Sequence, residues 1–133
     1  MSDEWLLLEA EIEGMPHFVG IMPSLPLQEV RSNYPCKISV SVDYEATENG
    51  MPVYEDDLQA LNQMEKDFRS WDENQDIFLN AMRETGDGTR TWTFYAKSLE
   101  AFEGLVPEND FIYIEGEDDP EWTSISRILQ SIR

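Results

Sequence analysis

Residues 36 to 44 read CKISVSVDY and alternate without interruption: Cys36, Ile38, Val40, Val42 and Tyr44 fall on one side, Lys37, Ser39, Ser41 and Asp43 on the other. A period of two held this long predicts a strand with one buried face. Such a strand needs a cover, and the next segment can supply it. In residues 55 to 71, EDDLQALNQMEKDFRSW, the apolar Leu58, Leu61, Met64, Phe68 and Trp71 recur at helical spacing, behind three acids that suit the positive end of a helix dipole.

The remaining periods complete a pattern. DIFLNAMRET and TRTWTFYAK flank Gly86-Asp87-Gly88, whose Asp-Gly pair readily takes the positive dihedrals of a tight hairpin. SLEAFEGLVP predicts a short helix capped by Ser98, with Leu99, Phe102 and Leu105 inward and Pro107 past its end. FIYIEG predicts a strand. From residue 36 to 117 the order is therefore strand, helix, strand, strand, helix, strand, which is the split βαβ order of ferredoxin-like domains. This reading predicts an α+β fold: a ferredoxin-like βαββαβ core over residues 36–117, preceded by a β-hairpin and followed by a C-terminal helix. EWLLLEAEIEG and HFVGIM form the hairpin, turning near Gly14-Met15-Pro16, and a proline-containing loop, MPSLPLQEVRSNYP, leads on from it.

Within that core, residues 36–44 and 89–96 are expected to be parallel central neighbours, with 76–84 and 110–116 outside them and both helices on one face. Val40, Val42, Trp92 and Phe94 then point into the core. Ser39, Ser41, Thr91, Thr93 and Tyr95 make a hydroxyl-rich opposite face, either open for recognition or covered by the hairpin or the last helix. A chain of 133 residues without a dividing linker or internal repeat predicts one domain, 1–133.

Charge narrows the choice of partner. Twenty-eight acids against nine bases give a formal net charge of −19. No Lys or Arg precedes Arg31, none lies between Lys37 and Lys66, and none between Lys97 and Arg127, a gap with nine acids. A surface of this sign repels nucleic-acid phosphates and anionic lipid and attracts basic protein surfaces. Its simpler role is to keep a small protein soluble. The apolar run Trp5 to Leu8 is too short for a signal peptide or a membrane span, and the lone Cys36 can form no internal disulfide, so a cytoplasmic protein, monomeric or weakly dimeric, is expected.

The densest acids stand in EGEDDPEWTSISRIL, residues 115 to 129: Glu115, Glu117, Asp118, Asp119 and Glu121 around Pro120, then Trp122 opening an amphipathic run. Asp119 followed by Pro120 predicts a helix start, with Trp122, Ile125, Ile128 or Leu129, and Ile132 along one face and Arg127 and Arg133 toward its negative end. Glu115, Glu117 and Asp118 are left unexplained by that helix start; together with Glu121, which also suits the positive end of its dipole, they are the candidate binding acids. Arg90 and Tyr95 join them as candidates. Arg90 can stack beside Trp92 or pair with Asp87 or Glu84. Cys36 reads as an inert core thiol and His17 as a hairpin residue. There is no calcium-loop spacing, second histidine, nucleophile elbow, Walker loop or GxGxxG, so neither metal, cofactor nor catalytic residues are assigned.

YPCKISVSVDY (34–44), GTRTWTFYAK (88–97) and DDPEW (118–122), in this order and at these spacings, resemble the bacterial domain-of-unknown-function family numbered 695. The resemblance covers the chain from about Trp5 onward. It implies family-pattern positions at Gly88, Arg90, Phe94, Tyr95, Asp119, Pro120 and Trp122, and it carries no activity. A looser likeness, in strand order, acidity and the closing strand-acid-Trp segment, is to the ribonuclease E inhibitor B family, small acidic proteins that bind an RNA-degrading enzyme. The Gly-Trp-Gly ending of that family is missing, since Pro120-Glu121 precede the tryptophan.

Two functions of different classes follow as expectations. One is a non-catalytic binding or regulatory module meeting a basic protein surface, such as a nuclease or another nucleic-acid-binding protein. The other is a small metal-assisted hydrolase using Glu117, Asp118 and Asp119, with His17 as a further group.

Overall fold

The computed structural model describes residues 6–12, 14–44, 55–75, 77–86, 88–104 and 112–132. The elements are β1 (Leu6–Ile12), β2 (Met15–Ile21), α1 (Gln28–Asn33), β3 (Cys36–Asp43), α2 (Glu55–Gln75), β4 (Phe78–Gly86), β5 (Thr89–Ala96), α3 (Leu99–Glu103), β6 (Ile112–Asp118) and α4 (Thr123–Ile132). The six strands form one antiparallel sheet in the order β1-β2-β4-β5-β3-β6. Its last four strands are the ferredoxin-like core, and the N-terminal hairpin extends the sheet beyond β4.

The central pair is β3 and β5, but it runs antiparallel, which corrects the expected parallel sense. The cause is the hairpin. Helix α2 returns the chain so that β4 runs in the direction of β3 one place away, and the tight β4–β5 turn then reverses the chain into the gap. A strand entering by a hairpin opposes β4, and therefore also β3. Gly88, at φ 79°, supplies the left-handed residue of that turn, while Asp87 lies outside the described residues.

Two more differences are local. The hairpin turn comes earlier than expected: Gly14, at φ 82°, makes it, and Met15 and Pro16 already belong to β2. The supposed loop MPSLPLQEVRSNYP holds the short helix α1, which brings Val30 and Tyr34 against an apolar cluster.

That cluster is one of two, and the sheet separates them. On one face α2 and α3 cover Cys36, Ile38, Val40, Phe78, Trp92 and Phe94 with Leu61, Phe68 and Phe102. The rings of Phe68, Phe78, Trp92, Phe94 and Phe102 meet at centroid distances of 4.9 to 5.3 Å, mostly edge to face or tilted, the favoured geometry for aromatic quadrupoles. On the other face α4 lays Ile125 and Leu129, with Trp122 just before the helix, over Ile21, Ala81 and Tyr95. The C-terminal helix is thus what covers much of the hydroxyl-rich face: Tyr95 and Thr93 are buried. Further along, Ser41 and Thr91 stay partly open and bond to each other, Oγ to Oγ1, at 3.1 Å. The side chains of Leu58, Trp71 and Ile132, and residues Leu105, Pro107 and Arg133, lie outside what is described.

The predicted cap of α3 is present. Ser98 Oγ accepts the Ala101 amide at 3.0 Å, and the cap Gly104 N–H closes the other end on the carbonyls of Glu100 and Phe102. Ser98→Ala is expected to cost about 1 kcal/mol in urea melts, because a helix of one turn has few other bonds with which to satisfy its first amides.

Candidate functional site

Three groups of polar residues stand out, on different parts of the sheet. The first is the strand β6, which lies at the end of the sheet and, among the described residues, pairs only with β3. Its alternation sends Ile112 and Ile114 into the α2 side, while Tyr113, Glu115 and Glu117 face the other way. Glu115, Glu117, Asp118 and Glu121 are all exposed. Strand geometry does not put them on one surface: Asp118 follows the Ile112–Ile114 side and Glu121 sits in the turn after the strand. Lys37, opposite Glu117 on β3, reaches it at 3.3 Å. Tyr113, in the same row as Glu115, is 58% exposed.

The second group ties α4 to the sheet. Asp119 receives three hydrogens: Thr123 N–H donates to Oδ1 at 2.8 Å, and Ser124 N–H and the Tyr95 hydroxyl donate to Oδ2 at 3.1 and 2.7 Å. Burial works against the Asp119 carboxylate, but these bonds outweigh it and hold the carboxyl below its usual range. Burial and the neighbouring carboxylate together push the Tyr95 phenol far up. Trp122 stacks on Tyr95 at 4.1 Å and its indole N–H donates to the Tyr34 carbonyl at 2.9 Å.

To reach that stack Trp122 adopts a left-handed φ of 56°. The helix therefore begins at Thr123, later than the Asp119-Pro120 pair predicts. Asp119 caps it from across a turn, and Pro120 stands in that turn instead of at the first helical position. Tyr95, a candidate binding residue from sequence, is fully buried here, with its hydroxyl engaged.

The third group surrounds Arg90. On the α2 face the ladder aligns residues in rows across the strands. Leu7, Gly20, Arg83, Trp92, Val40 and Ile114 form one row, and Glu9, Phe18, Thr85, Arg90, Val42 and Ile112 the next. Arg90 is 6% exposed. Its Nε–H donates to Thr85 Oγ1 at 2.9 Å and its guanidinium lies 5.9 Å from the Trp92 ring centroid. Glu84 is not its partner, since it points to the opposite face, 3.3 Å from His17 Nδ1.

Helix α2 closes one side of this group through Glu65, which takes hydrogens from Arg83 and from the Trp92 indole. Burial raises the Glu65 carboxyl, but Arg83 and Trp92 outweigh it and leave it lowered. Sequence reading passed over Glu65 and Arg83. The available signal was spacing: Glu65 stands four residues after Leu61, at the margin of the inward stripe.

Among the described residues no group of three or more His, Cys, Asp or Glu is arranged to hold a metal ion. Cys36 is buried, and that burial, followed by the charge of Asp118, raises its thiol pKa and keeps it protonated. His17 lies against Gly86, where a Cβ would come within 2.6 Å of the imidazole. It is four strand positions from β6, roughly 19 Å at the usual spacing, too far to act with Glu117 and Asp118.

Comparison with known proteins places the chain by family. The profile of a family of unknown function, DUF695, matches residues 3–126. The chain belongs to DUF695. No curated protein matches it, and no solved structure does. In this DUF695 chain the positions singled out by the resemblance fall into three places: Tyr95, Asp119, Pro120 and Trp122 at the α4 tie and the turn before it, Gly88 and Arg90 around the start of β5, and Phe94 in the aromatic core. Among the described residues no helix is long and apolar enough to cross a membrane.

Proposed function

We propose that this protein is a non-catalytic binding module that receives a basic, extended segment of a partner protein along β6. The observation that carries the reading is the edge position of that strand, whose second side pairs with no strand among the described residues. An edge strand offers unpaired backbone groups to an incoming chain, and this one displays Glu115, Glu117, Asp118 and Glu121 with Tyr113 exposed among them. The acids steer a positive segment toward the edge and Tyr113 gives it an aromatic anchor. The same charges keep two copies of the chain from pairing edge to edge. A nuclease or other nucleic-acid-binding protein has the required basic surface, whereas nucleic acid itself does not. The hydrolase reading is weaker, because Asp119 is committed to Tyr95 and the helix amides.

The test is affinity capture at low and high salt with a charge-reversed variant. Glu117 is best left alone, because a lysine there would oppose Lys37. Glu115→Lys combined with Asp118→Lys is expected to weaken capture about tenfold or more at low ionic strength while leaving the circular dichroism spectrum unchanged. Capture that is indifferent to both salt and these substitutions would make the edge a solvated surface and nothing more.

A further inference from the structure

On the face of the sheet opposite Tyr113, and toward the other edge, a cleft of about 340 Å³ opens between the hairpin β1–β2 and the strands β4 and β5. Its volume lies at the small end of the range typical of small-molecule sites. Three features of its lining point to one kind of occupant. The first is a gap: in the row Leu7, Gly20, Arg83, the glycine contributes no side chain and leaves a floor between its neighbours. The second is apolar wall left in water, Leu7 at 79% and Phe18 at 38% exposed.

The third is charge. Arg83 and Arg90 both line the cleft, and no acid lines it among the described residues, in a protein of net charge −19. Arg83 is held by Glu65. Arg90 makes no ion pair among the described residues: it is more than nine-tenths buried, its hydrogen bond is to the neutral Thr85 hydroxyl, no described carboxylate lies within 4.0 Å of it, and Glu65 acts on it only as a charge at longer range. A guanidinium removed from water without a close ion-pair partner is costly, and buried charges are as a rule paired. Glu9, exposed at the rim of the same row, and Glu65, already engaged, are the flanking acids.

We infer that this cleft binds a small organic carboxylate, with the carboxylate on Arg90 and an apolar body against Phe18 and Leu7. Balance of charge favours a monoanion. With Arg83 paired to Glu65, the described residues around the cleft offer one guanidinium, that of Arg90, without an ion-pair partner inside a strongly negative molecule, so a dianionic phosphate would be left partly unpaired. The planar fork of arginine matches a carboxylate through two parallel bonds. Dimensions agree: from Arg90 on β5 to Phe18 on β2 the sheet crosses two strand spacings, roughly 10 Å, which a carboxylate joined to a ring by a short arm can span. This cleft and the β6 edge lie on different parts of the sheet, so either can fail without the other.

The probe is 3-phenylpropionate, with 3-phenylpropanamide as its uncharged counterpart and inorganic phosphate as an anion without an apolar body. Isothermal titration and thermal melting are expected to show binding of 3-phenylpropionate at least about tenfold tighter than either control. Arg90→Met is expected to abolish that preference, and Phe18→Ala to weaken binding of the acid while leaving its charge dependence. A second readout needs no ligand. If Arg90 is held for a ligand, Arg90→Met raises the melting temperature of the free protein; if it serves the fold, the substitution lowers it. A lowered melting temperature, equal binding of acid and amide, or phosphate binding as tight as the organic acid would each overturn the assignment. So would a melting temperature that climbs with protein concentration and ignores the acid, since a second copy would then be covering the face.

Discussion

Trp122→Ala is expected to remove about 3 to 5 kcal/mol of stability, as truncations of large buried aromatics do. The ring is fully buried, stacks on Tyr95 and donates its N–H to the Tyr34 carbonyl, so the substitution opens a cavity and leaves a buried carbonyl without that bond. The backbone makes the prediction more specific. Trp122 holds a left-handed φ of 56°, a conformation that costs any residue with a Cβ about 1 kcal/mol or more and glycine almost nothing. Trp122→Gly should therefore be no worse than Trp122→Ala in urea melts, although glycine is normally the more damaging replacement. An alanine variant clearly more stable than the glycine variant would mean that the turn before α4 carries no such strain.

That turn also marks the limit of what could be read from the residues. Asp119-Pro120 has the chemistry of a helix start, and Asp119 does cap α4. The sequence could not reveal that Trp122 must bend back to reach Tyr95, because the demand comes from a strand over twenty residues earlier. The register of β3 was legible for the opposite reason. Cys36 to Tyr44 alternate by themselves, and one buried face fixes which residues point inward. Strand β4 hides its pattern. A bulge between Asn80 and Met82 switches its phase, so Phe78 and Arg83, five residues apart, share a face that strict alternation would put on opposite sides.

The strand order could be read from the sequence of elements, whereas the sense of the central pair required following the chain through the hairpin. Among the site candidates, Glu115, Glu117 and Asp118 were visible as acids that the helix start left unexplained. The sharing of Arg90, Arg83 and Glu65 around one cleft was not, since it depends on rows that cross four strands and on a helix entering from one side. Tyr95 failed as a surface residue because its neighbour Trp122 is large enough to cover it. An aromatic facing a hydroxyl-rich strand surface carries no sign of that in its own sequence.

Asp119→Asn is expected to cost about 2 kcal/mol at neutral pH, through the loss of charge-assisted bonds and a mismatched amide among three donors. One carboxylate oxygen serves Thr123 N–H and the other serves Ser124 N–H and the Tyr95 hydroxyl; asparagine has one acceptor oxygen and turns N–H groups toward the remaining donors. The wild-type advantage should follow protonation. Because the folded carboxyl is held below its usual range, its contribution is fully present above the unfolded value near 3.9 and is lost as pH falls through the folded one. Other acids also titrate in this window, and subtracting the variant's stability from the wild type's at each pH removes their common contribution. The difference should be flat from about pH 8 to 5 and shrink below about pH 4. Tyr95→Phe, which removes the shortest of the three bonds, should reduce the size of the difference at neutral pH without reversing its sign. A gap as large at about pH 2.5 as at neutrality would show that Asp119 acts through shape alone, and that its charge does not fasten the C-terminal helix to the sheet.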